Sequence, residues 1–294
     1  MKILLTGASG FLGETILEEL LRQKVKVIAL SRKKRNSIKN CEFIKINLLK
    51  KNEIKKVLHK KNFDTVIDVA AIIPTQKKDN EKRYSNNFKM TKNLLDAIDP
   101  GMLKYAIKIS TIDVYASKDG INRLNEKTKT KPTNGYAFSK LKSEALWSSW
   151  SKKNKTPLGI LRSTQIFGEK DRTNKFIPTL IRASKNNKKF ILKGDGNDKR
   201  DYLYVKDAAK IAVICAKKKI NGIFNLSTGR QVSLNQIIKH VERHCMKKII
   251  LTKQIRKKGK RDFIVSNKKL LNKIGNYRFT QIYTALKKTY DYFV

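Results

Sequence analysis

The chain has 294 residues, 67 of them Lys or Arg against 24 Asp or Glu, for a formal net charge of +43. Apolar residues make up 40%, with 12 Phe, 10 Tyr and 2 Trp, which excludes a disordered polybasic chain, since such chains lack the apolar side chains that offset ordering entropy. No apolar run approaches the roughly 18 residues of a membrane span, and the opening seven residues are too short for a secretory leader and run straight into a glycine turn.

In chain order, short apolar runs fall at 3–5, 25–30, 43–46, 65–69, 106–110, 158–162 and 223–226. Amphipathic stretches lie between them. Leu12, Ile16 and Leu20 recur at four-residue spacing, and 87–98 and 139–150 also read as helices. This alternation predicts an α/β protein built on a parallel, doubly wound sheet with right-handed crossovers. After about residue 168 the alternation becomes irregular. Gly194 to Asp198 reads as a loop, and Ser233-Leu234-Asn235-Gln236 as a capping box opening a helix with Leu234, Ile237, Ile238 and Val241 on one face. The expected division is a nucleotide-binding domain over 1–167 and a smaller, mainly substrate-binding α/β domain over 168–294, with a segment around 200–228 returning to the first.

The basic residues are spread along the whole chain, in clusters at 32–35, 50–61, 77–83, 185–189, 217–219 and 247–261. Most are Lys, not the planar Arg that reads base edges or stacks on bases. They read as solvated positions, and nucleic-acid binding is the weaker alternative. Such a field would steer an anionic substrate inward and make the fold sensitive to salt. The three cysteines, Cys41, Cys215 and Cys245, lie far apart. They argue against a disulfide framework or a cysteine-built zinc site, and for a reducing cytoplasm.

Thr6-Gly7-Ala8-Ser9-Gly10-Phe11-Leu12-Gly13 follows the first strand and opens the first helix. Glycines at 7, 10 and 13 suit a tight turn, close approach of backbone to a pyrophosphate, and tight helix–sheet contact, with the anion at a helix N-terminus. The second strand ends in Ser31-Arg32-Lys33, with no carboxylate to accept from ribose hydroxyls. Ser31 and Arg32 suit a 2′-phosphate, so NADP(H) is expected and NAD is the alternative. Tyr136 and Lys140 stand four apart, hence on one helix face. A nearby ammonium draws a phenol from near pKa 10 toward a useful acid–base range. Ser110 and Thr111 end a strand where a hydroxyl can hold a substrate oxygen beside that phenol.

With these motifs the chain resembles the extended short-chain dehydrogenase/reductases, specifically their nucleotide-sugar epimerase/dehydratase group. The resemblance runs through the Thr6–Gly13 turn, Val66 to Ala71, Asn86-Asn87, Ser110 to Tyr115, Tyr136 to Lys140, Phe167-Gly168, Gly194-Asp195-Gly196, Arg200 to Asp207 and Phe224-Asn225-Leu226. It implies a Rossmann fold and Thr111, Tyr136 and Lys140 as the catalytic residues. Lys140 would also bind the nicotinamide ribose and acidify Tyr136. It implies cofactor contacts from Gly7, Gly10, Phe11, Leu12, Gly13, Ser31, Arg32, Asn47, Leu48, Ala70, Ala71 and Asn87. Gln165 and Arg200 would meet the nucleotide sugar, as would a second Arg within 256–261, with Arg261 preferred.

Some positions depart from that pattern. Asn47 stands where Asp is usual, and Ala116 where Gly is usual. Ile112 occupies the place of the acid in the group's dehydratases, with Asp113 at the place of the base, so water elimination is poorly supported. Asp68 is an acid in an otherwise apolar strand, without a role legible in the sequence. His240 and His244 are four apart on a helix but lack a third ligand, so no metal site is expected. The C-terminal aromatics read as packing, and the helices at 87–98 and 139–150 as a possible homodimer seam. The leading reading is NADP-linked reduction of a nucleotide-linked 4-keto sugar. The close alternative is a nucleotide-sugar 4-epimerase with tightly held NAD, and the alternative of another class is a non-catalytic dinucleotide- or nucleic-acid-binding scaffold.

Overall fold

Strands covered by helices on both faces carry near-continuous apolar runs, and Ile3, Leu4 and Leu5 in the first strand and Val27 to Leu30 in the second are all buried. The computed structural model of the protein describes residues 1–74, 81–255 and 259–293. The first half runs β1 (Lys2–Thr6), α1 (Phe11–Arg22), β2 (Lys26–Ser31), β3 (Cys41–Lys45), α2 (Lys51–Leu58), β4 (Thr65–Asp68), α3 (Ser85–Leu95), β5 (Tyr105–Thr111), β6 (Gly120–Leu124) and α4 (Gly135–Lys153). It continues as β7 (Leu158–Ser163), β8 (Gln165–Phe167), α5 (Phe176–Lys185), β9 (Phe190–Lys193), β10 (Lys199–Arg200), β11 (Tyr202–Tyr204), α6 (Val205–Lys218) and β12 (Gly222–Leu226). The remainder is β13 (Val232–Ser233), α7 (Leu234–Cys245), β14 (Leu251–Gln254), β15 (Arg261–Val265), α8 (Lys268–Ile274) and α9 (Ile282–Tyr292).

The main sheet has 7 strands in the order β12-β7-β5-β4-β1-β2-β3, every pairing parallel. These are the seven apolar runs read from the sequence. One face packs on α1 and α6 through Ile16, Leu20, Ile211 and Cys215, and the other on α2, α3 and α4 through Ile54, Leu94 and Trp147. Strand order reverses beside β1, and such a switch point leaves a crevice at the carboxyl ends of the strands. The chain leaves the sheet after β7 and returns as β12, which pairs with β7 from Gly222↔Gly159 to Leu226↔Ser163. Away from this sheet the described residues form four two-stranded pairs, β10-β13, β11-β8, β14-β9 and β15-β6.

Element ends differ from the sequence reading for local reasons. Helix α4 starts four residues earlier than the apolar pattern, because Asn134 caps it by accepting from Ala137 N at 2.9 Å. Strand β3 starts two residues earlier because a bridge between Ile38 and Cys41 brings Cys41 opposite Val27. The capping box at Ser233 and Gln236 is present, and Ile237, Ile238 and Val241 are buried. His240 meets Tyr283 edge-to-face with ring centroids 3.9 Å apart, and His244 Nε2 pairs with Asp291 at 2.6 Å, so the two imidazoles serve separate contacts with α9. Among the described residues no helix is long and apolar enough to cross a membrane.

Candidate active site

The crevice is a cleft of about 780 Å³ walled by the segments that follow β1, β2, β3, β4, β5 and β7. At its base Gly7 has φ +68, and a Cβ there would lie 3.0 Å from the Ala70 backbone. A Cβ on Gly13 would lie 2.1 Å from Gly7 O, so the helix meets the turn only because residue 13 is glycine. No side chain caps α1 at Gly10. Gly7, Gly10, Phe11, Leu12 and Gly13 all line the cleft, so the turn offers the helix-end amides and dipole that bind a pyrophosphate.

Ser31, Arg32, Asn47, Leu48, Ala70 and Ala71 also line it. Ser31 Oγ accepts from Lys33 N at 3.0 Å, which sets the turn that carries Arg32 and Lys33 along the rim. Asn47 Oδ1 accepts from Leu49 N at 3.1 Å and shapes its own turn. The chain leaving β4 is held by Thr6, whose Oγ1 accepts from Val69 N and Ala70 N at 3.0 Å each. The cradle therefore fits an adenine dinucleotide.

Thr111 ends β5, and its hydroxyl accepts from Asp113 N at 3.2 Å. Tyr136 lies in the first turn of α4 with Lys140 one turn on, and Thr111, Tyr136 and Lys140 open into the same cleft. Gln165 and Arg200 also line it. The electrostatics correct the expectation of an acidified phenol. Burial pushes Tyr136 up, and Asp113 and Tyr84 add to that push. Burial, with Lys108, lowers Lys140 to about 7. Its Nζ donates to Ile109 O at 2.6 Å. An amine so depressed is largely uncharged just above neutral pH and exerts little pull on the phenol.

Two further expectations change. Arg261 is not among the residues lining the cleft: its Nε donates to Asp119 Oδ1 at 2.9 Å, because β15 pairs with β6 and sets Arg261 beside Gly120. Arg256 lies outside the described residues. Asn87 stands behind the wall, where its Oδ1 accepts from Ile72 N at 2.6 Å and its Nδ2 donates to Ile72 O and Ser139 Oγ at 3.0 Å each. It ties the cleft wall to α4 and acts by positioning.

Sequence reasoning missed Lys175, the residue before α5, which lines the cleft and whose charge, with that of Arg200, bears on Asp113. Its only sequence signal is its place just before a helix. Asp113 is the one carboxylate among the described lining residues. Crowding by the cleft walls raises it, although its side chain stays exposed in the open cleft, against the opposing pull of Thr111, Lys175 and Arg200. Beneath the site, Glu144 on α4 accepts from Arg162 Nη2 at 2.6 Å and from Ser110 Oγ, both partners of the pair being buried.

A parallel sheet with a glycine turn at its switch point defines a dinucleotide-binding protein of the doubly wound class. The profile of the NAD dependent epimerase/dehydratase family matches residues 3–227, and the chain belongs to that family. It is 31% identical over 265 residues to dTDP-D-glucose 4,6-dehydratase of Dictyostelium discoideum, covering 82% of this chain and 61% of the relative. The chain thus spans about three fifths of that relative's length, and less of the trifunctional Arabidopsis thaliana dehydratases it also matches, 37% in one case. An uncharacterized UDP-glucose epimerase of Bacillus subtilis (strain 168) is 28% identical, with 82% of this chain and 81% of the relative aligned. The crystal structure of UDP-glucuronic acid 4-epimerase from Bacillus cereus, with UDP-glucuronic acid and NAD, superposes at a TM-score of 0.87 and 25% identity over 99% of this chain and 98% of that one.

Proposed function

We propose that the protein carries out oxidoreduction at carbon 4 of a nucleotide-linked sugar, reducing a 4-keto sugar at the expense of NADPH. The observation that carries this reading is that Thr111, Tyr136 and Lys140 open into the cleft that the glycine turn floors. When bound there, the nicotinamide supplies hydride. The chain's own groups do the rest. Tyr136 is kept protonated by its enclosure, which makes it a proton donor to the oxygen of a carbonyl under reduction. The Thr111 hydroxyl holds that oxygen. Arg200 and Lys175, which both line the cleft and both act on Asp113, anchor the diphosphate, with Lys175 taking the place expected for Arg261. Ile112 stands where the group's dehydratases carry their acid, and Asp113, the one carboxylate among the described lining residues, stands at the place of the base, so water elimination is poorly supported. Ser31, Arg32 and Lys33, with no carboxylate beside them, favour the 2′-phosphate of NADP.

The second reading is a 4-epimerase that oxidises and re-reduces the same carbon with retained NAD. The full-length likeness to a UDP-glucuronic acid 4-epimerase favours it. Purified protein incubated with UDP- and dTDP-linked sugars and 4-keto sugars, with and without NADPH, separates the two. The reductase consumes NADPH in step with a keto sugar. Interconversion of sugar epimers without added dinucleotide defeats the reductase and establishes the epimerase.

A further inference from the structure

Thr6, Asp68 and Lys108 occupy paired positions on β1, β4 and β5 and form a buried polar row across the middle of the sheet. Asp68 is 2% exposed and Lys108 1% exposed. Asp68 Oδ2 accepts from Lys108 Nζ at 2.7 Å and from Trp147 Nε1 at 2.8 Å, while Oδ1 accepts from Thr6 Oγ1 at 2.7 Å. Thr91 Oγ1 lies 3.4 Å from Lys108 Nζ as a second acceptor. Burial works to raise the Asp68 carboxyl, and Lys108, Thr6 and Trp147 outweigh it, so it stays ionised below the usual carboxylate range.

Stability alone does not explain such a pair, since well-packed apolar residues of similar volume often replace a buried ion pair at no loss. Its contacts point to the site. Because Asp68 takes the Thr6 hydroxyl proton, the lone pairs of that oxygen are left for Val69 N and Ala70 N. Those amides fix the backbone packed against Gly7 in the phosphate turn. Through Trp147, the same carboxylate pins α4 two turns beyond Lys140.

We propose that the Asp68–Lys108 pair is a positioning element for the dinucleotide cradle and for Lys140, set one layer behind the site. The proposal rests on the dinucleotide reading above. The charged and titratable groups around Lys140 are Lys108 from β5, Asp68 from β4, and Glu144 from α4, with Tyr136 one turn earlier on the same helix. Burial and Lys108 disfavour the Lys140 ammonium, and Asp68 and Glu144 partly restore it. Losing both members of the pair removes the larger, repulsive influence.

The test is the Asp68→Leu/Lys108→Met double variant, free of dinucleotide. Lys140 is titrated by carbon NMR of labelled lysine side chains, with Lys140→Arg supplying the assignment. In the wild type one lysine titrates at about 7 and vanishes in Lys140→Arg. In the double variant its midpoint rises, and NADPH or NAD affinity, read by fluorescence, falls roughly tenfold. An unmoved midpoint with unchanged affinity in the folded variant overturns the proposal. If the double variant does not fold, Asp68→Asn/Lys108→Met serves, since it leaves no unpaired buried charge and keeps a hydrogen-bond acceptor beside Thr6 and Trp147. Its Lys140 midpoint also rises, and an unmoved one overturns the proposal. Wild-type protein that binds neither dinucleotide defeats the cofactor reading instead, and the Lys140 midpoint still reports on the pair.

Discussion

Tyr136 and Lys140 are four residues apart on one helix, and the cleft gives them opposite tendencies. Enclosure favours the neutral form of each, so the phenol keeps its proton and the amine sheds one. The phenol is then a donor, and Tyr136→Phe should lower kcat by about 10²- to 10⁴-fold on a nucleotide-sugar panel, with dinucleotide affinity largely retained. Wild-type turnover in that variant would remove Tyr136 from the chemistry. The lysine makes a separate prediction. Its folded pKa of about 7 lies below the ordinary lysine value of 10.5. Between those values the unfolded chain binds more protons than the folded one, so stability rises with pH across that window. Below it both states are protonated and the burial penalty is fully present. Lys140→Met should therefore gain more melting temperature over wild type at pH 6 than at pH 9, and an equal gain at both would refute the depressed amine. At the rim, Arg32→Ala should weaken NADPH by about tenfold and leave NADH nearly untouched, the difference a charged hydrogen bond to phosphate makes. Equal losses for both dinucleotides would show that Arg32 reads nothing beyond the shared pyrophosphate.

Helix α4 carries the most function per residue, and two devices hold it. At its start, Asn134 satisfies an amide of the first turn, the turn that contains Tyr136. Asn134→Ala should cost about 1 kcal/mol in urea unfolding and raise KM for the sugar, and a variant equal to wild type in both would show that the turn holds itself. Midway, Glu144 ties the helix to Arg162 on β7 and Ser110 on β5. Glu144→Gln removes half of a buried pair, and a loss of about 3 kcal/mol or more is expected. The same helix shows what the sequence could reveal. The seven strands were legible because a strand buried on both faces must be a short apolar run, and the glycine turn because only glycine permits its contacts. The start of α4 was not, because its cap precedes the apolar pattern. Asp68 was opaque because its partners lie 40 and 79 positions away, at Lys108 and Trp147. Arg261 was misplaced and Lys175 overlooked because strand pairing decides which loop reaches the cleft: β15 aligns with β6 and spends Arg261 on Asp119.

For the whole molecule the governing quantity is the charge of +43. Most ion pairs among the described residues keep at least one partner partly in solvent, such as Lys50–Glu53 and Lys92–Asp96, and such pairs contribute little. The buried pairs, Lys108–Asp68 and Arg162–Glu144, are screened far less by added salt. Salt therefore acts chiefly on unpaired surface lysines, whose mutual repulsion is larger in the compact state than in the expanded one. Raising ionic strength from about 10 mM to about 300 mM shortens the Debye length from roughly 30 Å to below 8 Å, less than the spacing of many surface charges. The melting temperature should rise by several degrees over that range, with most of the gain at the low end. The same screening removes the field that draws an anionic nucleotide sugar toward Arg200 and Lys175, so kcat/KM should fall with salt while kcat holds. Stability and substrate capture thus respond to salt in opposite directions. A melting temperature that is flat with salt would mean that the lysines are spaced widely enough to ignore one another, and a flat kcat/KM would mean that the charge has no part in bringing substrate to the cleft.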